Sequence, residues 1–273
     1  MALNIMIIDG RKIANDIKDE LKKELVLMPK IMLGIVLVGN NPVSLKYVNK
    51  KKILGEEIGV GVRVFDFPEN ISEDGLVLGV NKAVLESDGV IIQLPLPSQI
   101  DVQKILNLVP REKDVDCLSD SSKLEGKIFS PVVEAVKEIL KVTNVDDIKN
   151  KKVTIIGKGR LVGKPVLEWL KKEGVIADIF GRDNEDLKNI SIKNADILIL
   201  SAGSPGIIKP EMIKDGVVLI DASTSEVSGV LMGDALESCA SKCSIFTPVP
   251  GGVGPLTVVM LFRNLVGLCK YRQ

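Results

Sequence analysis

The chain has 273 residues, enough for two domains of ordinary size that each enclose a hydrophobic core. Lysine plus arginine and aspartate plus glutamate both number 36, so the formal net charge is zero and we expect no nucleic-acid or acidic-lipid partner. Aromatic residues make up only 3%, which also argues against the stacking surfaces that bind single-stranded nucleic acid.

The cysteine content and the N-terminus predict a soluble protein of a reducing, cytoplasmic compartment. There is no histidine and no CxxC spacing, so a zinc site would need Cys117, Cys239, Cys243 and Cys269 to come together, and we expect no metal. The N-terminus lacks the basic segment and cleavage site of a signal peptide. No apolar run approaches the roughly 18 residues of a membrane span, so we expect no membrane partner.

Short apolar runs alternate with amphipathic stretches, which is typical of an α/β fold. The predicted strands are 31–39, 89–97, 152–159, 195–203 and 216–223, and the predicted helices are 11–27, 43–58, 73–87, 132–142, 163–173 and 254–269. Apolar strands joined by helices predict parallel sheets. The polar stretch 142–152 is the predicted boundary between two α/β domains.

The helix predicted at 43–58 carries one lysine on its apolar face. At about 100° per residue, Lys51 falls with Tyr47, Leu54 and Ile58, whereas Lys46 and Lys50 lie elsewhere. A lysine at the edge of a core often extends its amine to solvent. The alternative is an amine whose pKa is lowered by burial and cationic neighbours, so that it can transfer protons near neutral pH.

The segment 153–170, "VTIIGKGRLVGKPVLEWL", predicts a dinucleotide site. An apolar strand precedes Gly157, Gly159 and Gly163, and a helix follows them. Glycines let the backbone approach a pyrophosphate at the start of a helix, where N–H groups and the dipole favour anions. After the next strand, Arg182 with Lys158 favours the 2′-phosphate of NADP, whereas Asp183 leaves NAD open as an alternative.

Seven segments in order give the chain its resemblance to a known family. They are "DGRKIA", "VGNNPVSLKYVNKKK", "GVIIQLPLP", "KDVD", "IIGKGRLVGKP", "ADILILSAGSPG" and "TPVPGGVGPLT". The chain resembles the bifunctional methylenetetrahydrofolate dehydrogenase/cyclohydrolases, the FolD family. This implies two α/β domains with a cleft between them: a folate-binding catalytic domain at 1–141 plus 254–273, and a Rossmann-like NADP-binding domain at 142–253.

The resemblance implies oxidation of 5,10-methylenetetrahydrofolate with NADP, followed by hydrolysis to 10-formyltetrahydrofolate, in a homodimer. Lys51 would be the catalytic general acid and base, with Tyr47 stacking on the pterin, Gln93 bonding the lysine and Asp116 binding the pterin. Leu94, Pro95, Pro250, Gly251 and Gly252 would complete the folate site. The cofactor would contact residues that follow four strands: Gly157, Lys158, Gly159, Arg160, Val162, Gly163, Arg182, Ala202, Gly203, Ser223 and Thr224.

Several positions depart from the family pattern. Its usual glycine after "KDVD" is Cys117, its Gly-Arg-Ser loop ends in Gly159, and its His-Ser pair reads Gly181-Arg182. A Thr-Pro-x-Gly segment is replaced at 130–136, and Ser223 stands for a glycine. Most departures lie in the cofactor half, so cofactor identity is less firmly predicted than folate chemistry.

Three alternatives stay open from the sequence. One is an NADP dehydrogenase of related fold with a different small substrate, against which the "QLPLP" segment argues. Another is a protein that retains one of the two activities. The third is a nucleotide-sensing binding protein whose active site has decayed, against which Tyr47, Lys51, Gln93 and Asp116 argue because all four are present.

Overall fold

The computed structural model describes residues 5–125, 128–145, 147–182 and 184–271. The chain divides into two compact units. Unit 1 comprises Met1–Ala14 and Val132–Thr257, and unit 2 comprises Asn15–Pro131 and Val258–Gln273. The chain therefore passes between the units three times, each time within a helix.

The described residues form eleven strands and nine α-helices. The strands are β1 (Met6–Ile7), β2 (Met32–Val38), β3 (Gly61–Phe67), β4 (Gly89–Ile92), β5 (Val153–Ile156), β6 (Ala177–Phe180), β7 (Ile197–Leu200), β8 (Val217–Asp221), β9 (Ser225–Val227), β10 (Val230–Met232) and β11 (Cys243–Phe246). The helices are α1 (Gly10–Leu25), α2 (Pro42–Ile58), α3 (Glu73–Glu86), α4 (Val102–Leu106), α5 (Asp120–Glu125), α6 (Pro131–Val142), α7 (Gly163–Lys172), α8 (Glu185–Asn194) and α9 (Val253–Tyr271).

Unit 2 is built on a parallel sheet in the order β3-β2-β4. The central strand β2 and its neighbour β4 are buried on both faces, and side chains of β2, β4, α3 and α4 form one apolar core. Helix α2 begins where Asn41 accepts hydrogen bonds from the backbone N–H groups of Val43 and Ser44. It ends at Gly59, whose φ of 86° is the left-handed conformation that glycine adopts without strain.

Unit 1 is built on a six-stranded sheet in the order β1-β11-β8-β7-β5-β6, and every adjacent pair is parallel. Strands β5 and β7 are buried on both faces, because helical crossovers cover a parallel sheet. The carboxyl ends of β5, β6, β7 and β8 lie along one edge of this sheet. An antiparallel hairpin of β9 and β10 follows β8.

The predicted α/β class with parallel sheets is confirmed. Each predicted strand and helix matches an observed one, although the strand predicted at 89–97 ends at Ile92. Strand β3 was missed because "GVRVFDF" mixes polar with apolar residues. The predicted domain limits stay a prediction; here residues 1–14 cluster with unit 1, where β1 pairs with β11.

Helix α9 is an exception to the expectation that no stretch is long and apolar enough to span a membrane. Its window Val253–Lys270 has a mean hydropathy of 1.3 and passes that test by length and composition. The sequence reading missed it because Arg263 and Asn264 interrupt the apolar run. Within the window 61% is buried, as in the core helix of a soluble protein.

Candidate active site

Lys51 lies on the buried face of α2. The buried residues of this helix recur every three or four positions: Ser44, Val48, Lys51, Gly55 and Ile58. Lys51 and Ile58 are buried as the sequence predicts, whereas Tyr47 and Leu54 are half-buried. Gly55 allows close packing on β3, since a Cβ there would lie 2.4 Å from a methyl carbon of Val62. Lys51 keeps 8% of its surface exposed. The adjacent Lys50 and Lys52 are exposed, so only one lysine of this run is placed for chemistry.

Tyr47 lies one turn before Lys51 and is half-buried. The Nζ atom of Lys50 lies 5.2 Å from the centre of its ring. A cation over an aromatic face is held by the ring quadrupole, so this contact restricts the orientation of the tyrosine. The contact therefore restrains a ring that lies one helical turn before the buried Lys51.

Gln93 is the hydrogen-bond partner of Lys51. It follows the last residue of β4, where parallel sheets present ligand-binding groups. Lys51 Nζ donates to Gln93 Oε1 at 3.0 Å, and Gln93 Nε2 donates to the carbonyl of Leu94 at 2.9 Å. The second bond fixes the amide with its oxygen toward the amine. Pro95, which completes this turn, is exposed and follows a cis peptide bond.

Asp116 is the charged group that acts on Lys51. Burial lowers the pKa of the Lys51 amine, while the charge of Asp116 opposes that change. Burial raises the pKa of Asp116 to about 6; Lys51 acts against this shift and Asp114 adds to it. The pKa values of the amine and the carboxyl are therefore both shifted toward neutral pH, which suits groups that gain and lose protons during a reaction.

The segment that carries Asp116 is held by residues the sequence analysis did not assign. Asp114 is buried, and its Oδ2 accepts a hydrogen bond from the backbone N–H of Ser119 at 2.8 Å. Asn264 on α9 donates from Nδ2 to the carbonyls of Val115 at 3.0 Å and Phe129 at 2.8 Å. Asp114 stands in the "KDVD" motif, whereas no sequence pattern singles out Asn264.

In unit 1, the residues expected to bind the cofactor follow four adjacent parallel strands. Gly157 to Gly163 come after β5, and Arg182 comes after β6. Ala202 and Gly203 follow β7, and Ser223 and Thr224 follow β8. Arg182, Ala202, Gly203 and Thr224 are exposed, whereas Ser223 is buried. Asp183, which would favour NAD, lies outside the described residues.

The glycine loop has the geometry of a phosphate-binding turn. Gly157 has a φ of 110°, and a Cβ there would lie 2.4 Å from the carbonyl oxygen of Ser201. A Cβ on Gly163 would lie 1.8 Å from the carbonyl oxygen of Gly157. Helix α7 starts at Gly163 without a side-chain cap, after the half-buried Val162. Lys158, Gly159 and Arg160 are exposed beside it. These residues fit a dinucleotide phosphate at the helix start.

The residues 250–252 lie in unit 1, between β11 and α9. The carbonyl of Gly251 accepts a hydrogen bond from the N–H of Gly10 at 2.9 Å, and Gly252 N donates to Pro248 O at 2.8 Å. A Cβ on Gly10 would lie 1.8 Å from the carbonyl oxygen of Gly252. The "DGRKIA" and "TPVPGG" segments are therefore packed on each other. The folate contacts of Pro250, Gly251 and Gly252 stay a prediction.

Two family models match the chain. The model of the tetrahydrofolate dehydrogenase/cyclohydrolase catalytic domain matches residues 8–116, and the model of the NAD(P)-binding domain matches residues 130–273. The bifunctional protein FolD of Mycoplasmopsis synoviae is 39% identical over 280 residues, which cover 97% of this chain and 99% of that protein. The bifunctional protein FolD of Halothermothrix orenii is 36% identical, with 97% and 98% covered.

Solved structures agree with the family models. The bifunctional FolD enzyme of Campylobacter jejuni has a TM-score of 0.93 at 31% identity, with 98% of this chain and 99% of that chain covered. The Trypanosoma brucei enzyme, solved with NADP and an inhibitor, has a TM-score of 0.91 at 30% identity, with 98% of both chains covered. The chain belongs to the tetrahydrofolate dehydrogenase/cyclohydrolase family. The resemblance read from the sequence is thereby confirmed.

The structure shows the surroundings of two departures from the family pattern, Cys117 and Gly159. Cys117 has a φ of 56°, a conformation that glycine adopts freely and a side chain makes costly. Its thiol packs 3.8 Å from the carbonyl oxygen of Asp114. Gly159 has open space around its Cβ position, so the serine usual in this tetrahydrofolate dehydrogenase/cyclohydrolase family would fit there without displacing anything. Neither change removes a group of the Lys51 site.

Proposed function

We propose that the chain oxidises 5,10-methylenetetrahydrofolate to 5,10-methenyltetrahydrofolate with NADP and hydrolyses the product to 10-formyltetrahydrofolate. The observation that carries this proposal is the hydrogen bond of the buried Lys51 to Gln93, with Asp116 acting on the same amine, in a chain whose family relatives are named for both activities. The catalytic domain model matches residues 8–116, so it includes all four residues proposed to be catalytic: Tyr47, Lys51, Gln93 and Asp116.

Lys51 would act as general base and then as general acid in the hydrolysis. The uncharged amine takes a proton from water as the oxygen forms a bond to the methenyl carbon. The ammonium returns a proton to N5 as the bond between N5 and that carbon breaks, which leaves the formyl group on N10. The reaction releases one proton overall. A lowered pKa is required because an ordinary lysine is almost fully protonated at neutral pH.

Gln93 and Asp116 would support Lys51 in different ways. The amide oxygen of Gln93 accepts from the amine whether it is charged or neutral, so it fixes the position of Nζ through both proton transfers. The carboxylate of Asp116 accepts hydrogen bonds from N–H groups of the pterin, and its charge stabilises the ammonium form of Lys51. Tyr47 would stack on the pterin, with Leu94 and Pro95 beside it.

NADP, when bound, supplies the acceptor for the hydride of the methylene carbon. The glycine loop would hold its phosphates, with Lys158 and Arg182 toward the 2′-phosphate. In this proposal unit 1 carries the cofactor and unit 2 carries the folate chemistry. We place the protein in the cytoplasm as a homodimer, following the family; light scattering of the purified protein tests the dimer.

The test is to replace Lys51 with Met and to assay both reactions. The wild type is expected to reduce NADP with methylenetetrahydrofolate and to accumulate little methenyl product. Lys51→Met should lose at least about a hundredfold in methenyl hydrolysis, the contribution of one general acid–base group. Lys52→Met is the matched control, since Lys52 is exposed on the next position of the helix. If Lys51→Met is folded and still forms 10-formyltetrahydrofolate at the wild-type rate, the assignment of Lys51 is wrong.

A further inference from the structure

Two buried carboxylates lie behind the strand ends of unit 1 and have no part in the chemistry proposed above. Asp221 is the last residue of β8, and Asp234 follows β10; both are almost fully buried. Asp234 Oδ2 accepts from the backbone N–H of Ala202 at 2.6 Å, and Oδ1 accepts from that of Ser204 at 2.6 Å. A single carboxylate thereby fixes both ends of the turn that follows β7.

Ser223 joins the two carboxylates. Its hydroxyl donates to Asp221 Oδ1 at 2.5 Å and accepts from the backbone N–H of Asp234 at 2.8 Å. Asp221 Oδ2 accepts from the N–H of Ala235 at 2.9 Å, so the backbone of Asp234 is fixed on both sides. These bonds use the hydroxyl of Ser223 within the protein, and they give this departure from the family's glycine a specific task.

The choice of a carboxylate at this position has a geometric reason. A buried carboxylate costs free energy unless its oxygens accept hydrogen bonds. Because of this cost, burial raises the pKa of both Asp221 and Asp234. The N–H groups of Ala202 and Ser204 bond different oxygens of the carboxylate. An asparagine would put an NH2 group in the place of one oxygen, so one of the two N–H groups would face a donor.

The turn fixed in this way reaches the glycine loop. Ser201 Oγ donates to the carbonyl of Gly157 at 3.2 Å, and the space where a Cβ of Gly157 would lie is filled by Ser201. On the other side of the turn, Ala202 and Gly203 are exposed. A displaced turn would thus alter both the glycine loop and the surface that Ala202 and Gly203 present.

We propose that Asp234, held in place by Ser223 and Asp221, is a positioning residue of the dinucleotide site: it sets the turn 201–204 against which the nicotinamide nucleotide binds. This inference rests on the proposed function, because it concerns the same cofactor site. It assigns Ser223 an indirect role, in place of the direct cofactor contact expected from the sequence.

The test is the dissociation constant for NADP, measured by calorimetry on Asp234→Asn and Ser223→Gly. Asp234→Asn should weaken NADP binding about tenfold, the net contribution of roughly one hydrogen bond. Ser223→Gly should weaken it about threefold, because it loses the bridge and keeps both carboxylates. Asp215→Asn, which changes an exposed carboxylate of the same unit, should bind as the wild type does.

Circular dichroism and urea unfolding establish which variants are folded. A residue with a purely structural role would lower the stability when it is replaced, but it would leave the dissociation constant of the folded protein for NADP unchanged. A folded Asp234→Asn that binds NADP with wild-type affinity overturns the inference. If Asp234→Asn does not fold, Ser223→Gly decides in the same way. A wild type that neither binds NADP nor turns over methylenetetrahydrofolate would overturn the proposed function, whereas unchanged variants of an active wild type overturn only the role of Asp234.

Discussion

Replacing Asp116 with Asn should change how the stability of the protein depends on pH. The folded pKa of Asp116 is about 6, against an ordinary value of 3.8. A raised pKa contributes stability below pH 3.8, and this contribution is lost as the pH rises through about 6. The two values correspond to about 3 kcal/mol over the full range. The share of this stability that can be measured is lost mainly between about pH 5 and 7.5. Because Asp116 is partly exposed, we expect that loss to be about 1 kcal/mol.

The measurement is urea unfolding of the wild type and Asp116→Asn from about pH 5 to 7.5. The stability of the variant relative to the wild type should rise by about 1 kcal/mol across this range and level off above it. Asp66→Asn, which removes an exposed carboxyl of β3, serves as the control. A difference that is constant for Asp116→Asn would mean that its carboxyl titrates as in the unfolded chain, and the electrostatic account of the Lys51 site would fail.

Two further predictions concern packing around the proposed sites. Gly159→Ala should change the free energy of unfolding by no more than about 0.5 kcal/mol, because the position of its Cβ is open. Gly163→Ala should cost about 3 kcal/mol and abolish NADP binding, since its Cβ would overlap the carbonyl of Gly157. Thermal melts and calorimetry on both variants test this, and equal melting temperatures would contradict the close approach of Gly163 to Gly157. Asn264→Leu should cost about 2–4 kcal/mol in urea unfolding, because the carbonyls of Val115 and Phe129 lose a hydrogen bond from the buried Asn264. It should also slow methenyl hydrolysis by displacing Asp116, and wild-type stability would show that those carbonyls find other donors.

Local sequence determined much of the proposed folate site. The spacing of apolar residues placed Lys51 on the buried face of its helix, because a helix returns to the same face every three or four residues. Gln93 was named by the family resemblance, and the structure places it directly after β4, at the ligand-binding edge of a parallel sheet. The glycine loop likewise follows from residues that are adjacent in sequence. In each case the pattern and the contacts it predicts lie within one or two elements.

Only the tertiary structure revealed the residues that hold these groups in place. Asn264 bonds to the carbonyl of Val115, which lies 149 positions away, and Asp234 bonds to Ala202 across 32 positions. Neither residue stands in a sequence motif, because its role depends on where it lies in space and the sequence records no distances between elements. Likewise the sequence named Ser223 as a cofactor contact, and the structure buries it between two carboxylates. Periodicity fixes which face of an element is buried; what a buried polar group bonds to depends on which elements pack together.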